Sequence, residues 1–115
     1  HNCPSSVIQL AAADCCDLTS DLSVYETNMN LLYDALTALG FDVVRPGGTF
    51  YLFPGVEKTG LDDKQFCKEL LERAHVLVSA GSPFGKTGAN HFRIACTVGI
   101  DQLKQAFDRM EKLEF

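Results

Sequence analysis

The chain predicts an α+β domain: two N-terminal helices, then the order β-β-α-β-β-α, with a mostly antiparallel sheet covered on one face by helices. Three observations carry this. Apolar residues from Leu22 to Leu39 recur at alternating spacings of three and four, Phe92, Ile94 and Cys96 alternate with Arg93 and Ala95, and Pro46-Gly47-Gly48 separates two apolar segments.

The first helix is expected over residues 5–16, with Pro4 at its start, where a missing N–H costs no intrahelical bond. A polar break over 17–21 follows. In the second helix Leu22, Tyr25, Met29, Leu32, Leu36 and Leu39 share one face, Ser23 and Glu26 have capping-box spacing, and Gly40 is a natural stop. Residues 41–45 and 49–53 read as the arms of a hairpin. The third helix, 62–74, has Asp62 as cap with Gln65 three positions on, and buries Phe66, Leu70 and Ala74. Residues 76–78 read as a short buried strand, 80–90 as a glycine-rich surface loop and 92–96 as a two-faced strand. Ile100, Leu103, Phe107 and Met110 define a last helix. Residues 1–115 show no linker or repeat and are expected to form a single domain.

Ten basic residues against fifteen acidic leave a net charge of −5, which argues against nucleic-acid binding. No apolar run reaches the ~20 residues of a membrane span. The opening His1-Asn2-Cys3-Pro4 has neither the basic start nor the apolar stretch of a secretory leader, and the chain does not begin with Met. Five cysteines without a Cys-x-x-Cys pair predict reduced thiols in a cytoplasmic setting, with Cys67 and Cys96 as small core hydrophobes, and no metal site.

Gly85-Lys86-Thr87 suggests a phosphate loop, but Ala80 stands where that motif needs glycine, and a strand follows where it needs a helix. His75 and His91 have no carboxylate neighbours in sequence, no serine sits in a Gly-x-Ser-x-Gly setting, and Asp62 and Asp63 read as a helix cap. Arg93 has two readings. On a strand it can offer a planar fork to a carboxylate, or it can simply face solvent, the simpler reading from spacing alone.

Three motifs shift that balance: Pro46-Gly47-Gly48-Thr49-Phe50-Tyr51-Leu52-Phe53-Pro54, Ala80-Gly81-Ser82-Pro83-Phe84-Gly85 and His91-Phe92-Arg93-Ile94-Ala95. In this order they closely resemble the C-terminal small domain of class I/II aminotransferases, the aspartate-aminotransferase-like enzymes that use pyridoxal phosphate (PLP). Cys3-Pro4-Ser5-Ser6-Val7-Ile8-Gln9 and Leu32-Tyr33-Asp34-Ala35-Leu36 extend the resemblance over nearly the whole chain. Ala80, where proline is common, and Asn30-Leu31, in place of an arginine-rich stretch, depart from the pattern.

The resemblance implies that Arg93 binds the α-carboxylate of an amino-acid or keto-acid substrate. It implies cleft-lining roles for Phe50, Tyr51 and Ser82, with a hairpin-core role as the rival reading of Phe50. PLP is the cofactor implied for the parent enzyme. None of Lys58, Lys64, Lys68, Lys86, Lys104 or Lys112 matches the family's cofactor lysine, so the chain alone is expected to hold no cofactor, to carry no catalytic residue and to be inactive. The implied partners are a large domain of the same polypeptide and a second subunit. The alternative is a freestanding, non-catalytic α+β module for a ligand or a protein partner. The residues leave open the amino-acid specificity and the choice between an aminotransferase and a related PLP lyase.

Overall fold

The computed structural model describes residues 3–113. His1 and Asn2, part of the opening read for a leader, lie outside the described residues. In chain order the elements are α1 (Ser6–Asp14), α2 (Ser23–Ala38), β1 (Tyr51–Leu52), α3 (Asp63–Ala74), β2 (Ser79–Ala80), β3 (Phe92–Ala95) and α4 (Ile100–Glu111). The expected α+β class holds, with one strand fewer than expected before α3. No helix among the described residues is long and apolar enough to cross a membrane.

The sheet is antiparallel with the order β1-β3-β2, so β3 is its centre. Tyr51 pairs with Ala95 and Leu52 with Ile94 on one edge of β3, while Ser79 pairs with Arg93 and Ala80 with Phe92 on the other. Hydrogen bonds from Cys96 N to Phe50 O and from Phe92 N to Pro54 O lengthen the β1–β3 ladder beyond its two-residue strand.

Alternation along β3 sends Phe92 and Cys96 into the core, where both are fully buried. Phe92 meets Phe66 of α3 and Phe41 at ring-centroid distances of 4.7 and 5.6 Å, and Phe41 meets Phe66 edge-on at 5.8 Å. Leu32 and Leu36 of α2, Leu70 and Ala74 of α3, and Leu103 and Met110 of α4 close this core over the sheet. Leu22 and Tyr25, at the start of the α2 stripe, stay exposed.

Local chemistry explains where the helices stop. The Asp62–Gln65 capping box of α3 forms in both directions. Gly40, at φ +80°, ends α2: its N–H donates to Thr37 O, and the Phe41 N–H donates to Leu36 O. That double bond with a buried residue just beyond it is a Schellman stop, and it seats the Phe41 ring in the core. Ser23 and Glu26 do not form the expected box. Leu22 takes the cap position, and the Ser23 N–H donates to the Asp21 carboxylate at 2.9 Å. In α1 the cap is Ser5, which leaves Pro4 outside the helix rather than in its first turn.

The expected hairpin does not form. Thr49 sits in the left-handed region at φ +68°, which breaks the second arm before Phe50. With Phe41 in the core and Val43 packed against it, Asp42, Val44 and Arg45 face outward, and a hydrogen bond from the Gly55 N–H to Asp42 O joins that stretch to the β1 side. The strand expected at 76–78 also moves: His75 is left-handed at φ +55°, Leu77 is 79% exposed, and pairing starts at Ser79.

One buried polar residue ties α2 to the sheet. The Asn28 side-chain amide donates to Cys96 O at 3.2 Å and to Val98 O at 2.9 Å. Asn28→Ala would strand both carbonyls, at a cost of about 1–3 kcal/mol. Urea unfolding should therefore show a lower midpoint for Asn28→Ala, whereas Leu77→Ser should stay within about 0.5 kcal/mol of wild type.

Candidate functional site

The pleat that buries Phe92 turns Arg93 to the opposite side of the sheet, where it is half-buried. Two rings hold its guanidinium. Tyr51, from β1, and Phe84, from the turn after β2, each have their ring centroid 4.5 Å from the guanidinium carbon. Cation–π attraction favours this arrangement and restrains the guanidinium. Among the described residues no hydrogen bond or ion pair engages Arg93, since the two ion pairs there are Lys68–Glu72 and Arg73–Glu69. A positively charged planar donor is thus held in place and left uncommitted.

Tyr51, expected from the resemblance to line a cleft, stands beside Arg93. Phe50 lies one ring further out: its centroid is 4.5 Å from Tyr51 and 5.9 Å from Tyr25 of α2. It is 38% exposed, which does not fit a hairpin-core residue. It borders a groove of about 620 Å³ between α2 and the 45–50 arch, which Met29, Tyr33 and Arg45 also line. Ser82 contributes differently: its hydroxyl is buried and has no hydrogen-bond partner among the described residues. From that loop the group that reaches Arg93 is Phe84, which sequence reasoning did not single out although it belongs to the second motif.

The loop carrying Phe84 is a closed structure rather than a loose surface loop. Residues Ser82–Phe84 and Lys86–Gly88 form two consecutive 3₁₀ turns. The Gly81 N–H donates to His91 O at 2.8 Å, and the His91 N–H donates to Gly88 O at 3.2 Å. A Cβ on Gly81 would lie 2.2 Å from the Gly88 carbonyl oxygen, so the two glycines permit a backbone contact closed to other residues. His91 stacks on Phe53 at 5.2 Å and bonds Ala89 O through Nδ1, a structural placement.

Asp63 fixes the start of the first turn. Its carboxylate is buried and accepts the Ser82 N–H at 2.8 Å. Burial alone would push this carboxyl up, but the hydrogen bond from the Ser82 N–H, with help from its own N–H and from Lys64, outweighs burial and holds it below the ordinary carboxylate value. Its place in the first turn of α3 adds the favourable end of the helix dipole. Of the two acids read as a cap, Asp62 caps and Asp63 reaches across to the loop.

The thiols are no part of this site. Burial pushes Cys67 up to about 11, with the Asp63 charge adding to it, and burial pushes Cys96 up to about 11. No group of three potential metal ligands gathers among the described residues. All six lysines are exposed. None lines the groove beside Phe50 or a second groove of about 510 Å³ between α4 and residues 75–78.

The sequence-family model for aminotransferase class I and II matches residues 7–110. The chain belongs to the class I and II aminotransferases. It is 38% identical over 118 aligned positions to aromatic-amino-acid aminotransferase 2 of Thermococcus litoralis, an alignment covering 96% of this chain and 30% of that protein. An aspartate aminotransferase of Pyrococcus abyssi matches at the same identity and coverage. Among solved structures, the aspartate aminotransferase of Thermotoga maritima superposes with a TM-score of 0.81 at 32% identity, over 95% of this chain and 28% of that one. The chain thus spans less than a third of the length of these aminotransferases.

The Asp63 contact has a pH signature. A carboxyl whose folded pKa is depressed stabilises the fold fully above its unfolded value of about 3.9, and that contribution is lost as pH falls through the folded value. Asp63→Asn keeps an acceptor for Ser82 but does not titrate. Between pH 5 and about 2 the wild type should lose stability more steeply than Asp63→Asn in denaturant titrations. Parallel curves would show that the folded carboxyl is not depressed.

Proposed function

We propose that this chain is the carboxylate-binding small domain of a PLP-dependent aminotransferase, with Arg93 as the group that grips the α-carboxylate of an amino-acid or keto-acid substrate. The supporting observation is the Arg93 fork itself, held between Tyr51 and Phe84 with no anion opposite it among the described residues. A carboxylate entering there would take two parallel charge-assisted N–H···O bonds, for which the guanidinium is already oriented. Tyr51 would wall one side of the bound carboxylate, and Phe50 would continue that aromatic wall toward the groove along α2. Drawing the carboxylate onto Arg93 would orient the substrate and help exclude water from the cleft.

The chain's own residues do not fit the cofactor. The imine to PLP needs a lysine inside a cavity, whereas Lys58 is spent on the Leu39 carbonyl and the Phe41 ring, and the remaining lysines are exposed. The cofactor site and the reacting bonds are therefore assigned to a large domain of the same polypeptide, and residues 1–115 are read as one non-catalytic domain that is inactive alone. The uncovered side chains of Val7 and Leu10 on α1, 74% and 72% exposed, fit such a docking role. A second subunit, as the family resemblance implies, would complete the assembly.

In the full polypeptide, Arg93→Leu should raise KM for the amino-acid substrate by roughly 30-fold or more. This corresponds to the about 2–5 kcal/mol lost when one partner of a buried charge pair is removed. Steady-state kinetics with kcat and KM resolved separately check this. An unchanged KM would remove Arg93 from the site and favour a freestanding, non-catalytic module.

A further inference from the structure

We infer that Asp63 is a positioning residue for Arg93, acting through the Ser82 turn and the Phe84 ring, an inference that rests on the carboxylate-binding reading of Arg93. Arginine carries several rotatable bonds, so a guanidinium backed on one face could swing away from its ligand. Tyr51 supplies one ring from a paired strand. The second ring is Phe84, 53% exposed and carried on a turn with no ladder of its own.

Beside the Gly81 N–H bond to His91 O, two further contacts locate that turn. One is the Gly81–Gly88 backbone approach. The other is the bond from Ser82 N–H to the Asp63 carboxylate, which ties the first residue of the turn to the buried start of α3, 19 positions earlier. The carboxylate forms no ion pair with any described cation. Its acceptor strength goes to a backbone N–H, and Phe84 lies two residues beyond that N–H. Phe53 packs edge-on against Phe84 at 6.3 Å, a further restraint on the ring. Removing the Asp63 acceptor frees the turn, opens one wall of the ring pair and leaves Arg93 chemically intact but less well oriented.

The test is steady-state kinetics on the full polypeptide with Asp63→Ala, Asp63→Asn and Phe84→Leu, beside Arg93→Leu and a core variant, Leu103→Ala, that lowers thermal stability without touching the turn. For Asp63→Ala we expect KM to rise on the order of 10-fold while kcat changes less than about two-fold, as for lost binding common to ground and transition states. Asp63→Asn, which keeps an oxygen for the Ser82 N–H, should return KM to within about two-fold of wild type. Phe84→Leu, which keeps apolar bulk but loses the ring face, should raise KM about 2- to 5-fold. Leu103→Ala should lower Tm and leave KM unchanged, which separates positioning from mere stability. If Arg93→Leu raises KM while Asp63→Ala and Phe84→Leu leave it at wild type, the positioning role is overturned and the carboxylate reading stands. If Arg93→Leu leaves KM unchanged, both are overturned.

Discussion

Strand β3 is hydrogen-bonded along both of its edges, to β1 on one side and β2 on the other, and its two faces do opposite work. Phe92 and Cys96 fill the core between the helices, while Arg93 stands on the other face. Because side chains alternate strictly along a strand, a slip of one residue would put a guanidinium into the Phe41–Phe66 cluster and the Phe92 ring into water. The aromatic core therefore fixes the register of β3, and the register fixes where the charge is presented. Core packing and the presentation of Arg93 are set by the same strand.

The surroundings of Arg93 show how a cation can be restrained without being neutralised. A carboxylate neighbour would hold it firmly and also compete with any substrate anion. Ring faces attract the guanidinium more weakly and leave its in-plane N–H groups free. The buried carboxylate of Asp63 is committed to the Ser82 backbone N–H instead. The full aminotransferase machinery, with its cofactor and reacting bonds, is proposed to lie in the rest of a longer polypeptide, in keeping with relatives more than three times the length of this match.

Elements whose determinants are local in sequence were legible. The Asp62–Gln65 box and the Phe66–Leu70–Ala74 stripe of α3 depend on contacts within a few residues, and they formed as read. The hairpin failed because β1 found its partner in β3, more than 40 residues on, while Thr49 and Phe41 took conformations that local turn chemistry does not reveal. Asn28 was invisible for a similar reason: its carbonyl partners lie 68 and 70 positions away. At the candidate site, motif resemblance drew attention to Arg93 and Tyr51, which are neighbours in space. Phe84 was not singled out and Asp63 was read as part of a helix cap, because their parts depend on a turn whose shape follows from the Gly81–Gly88 approach.

The most direct check of the central claim is a crystal structure of the full polypeptide with a substrate-like carboxylate bound. The account predicts both carboxylate oxygens within hydrogen-bond distance of the Arg93 guanidinium, with the fork still between the Tyr51 and Phe84 rings. A carboxylate bound elsewhere, with Arg93 facing solvent or paired to another acidic side chain, would contradict it.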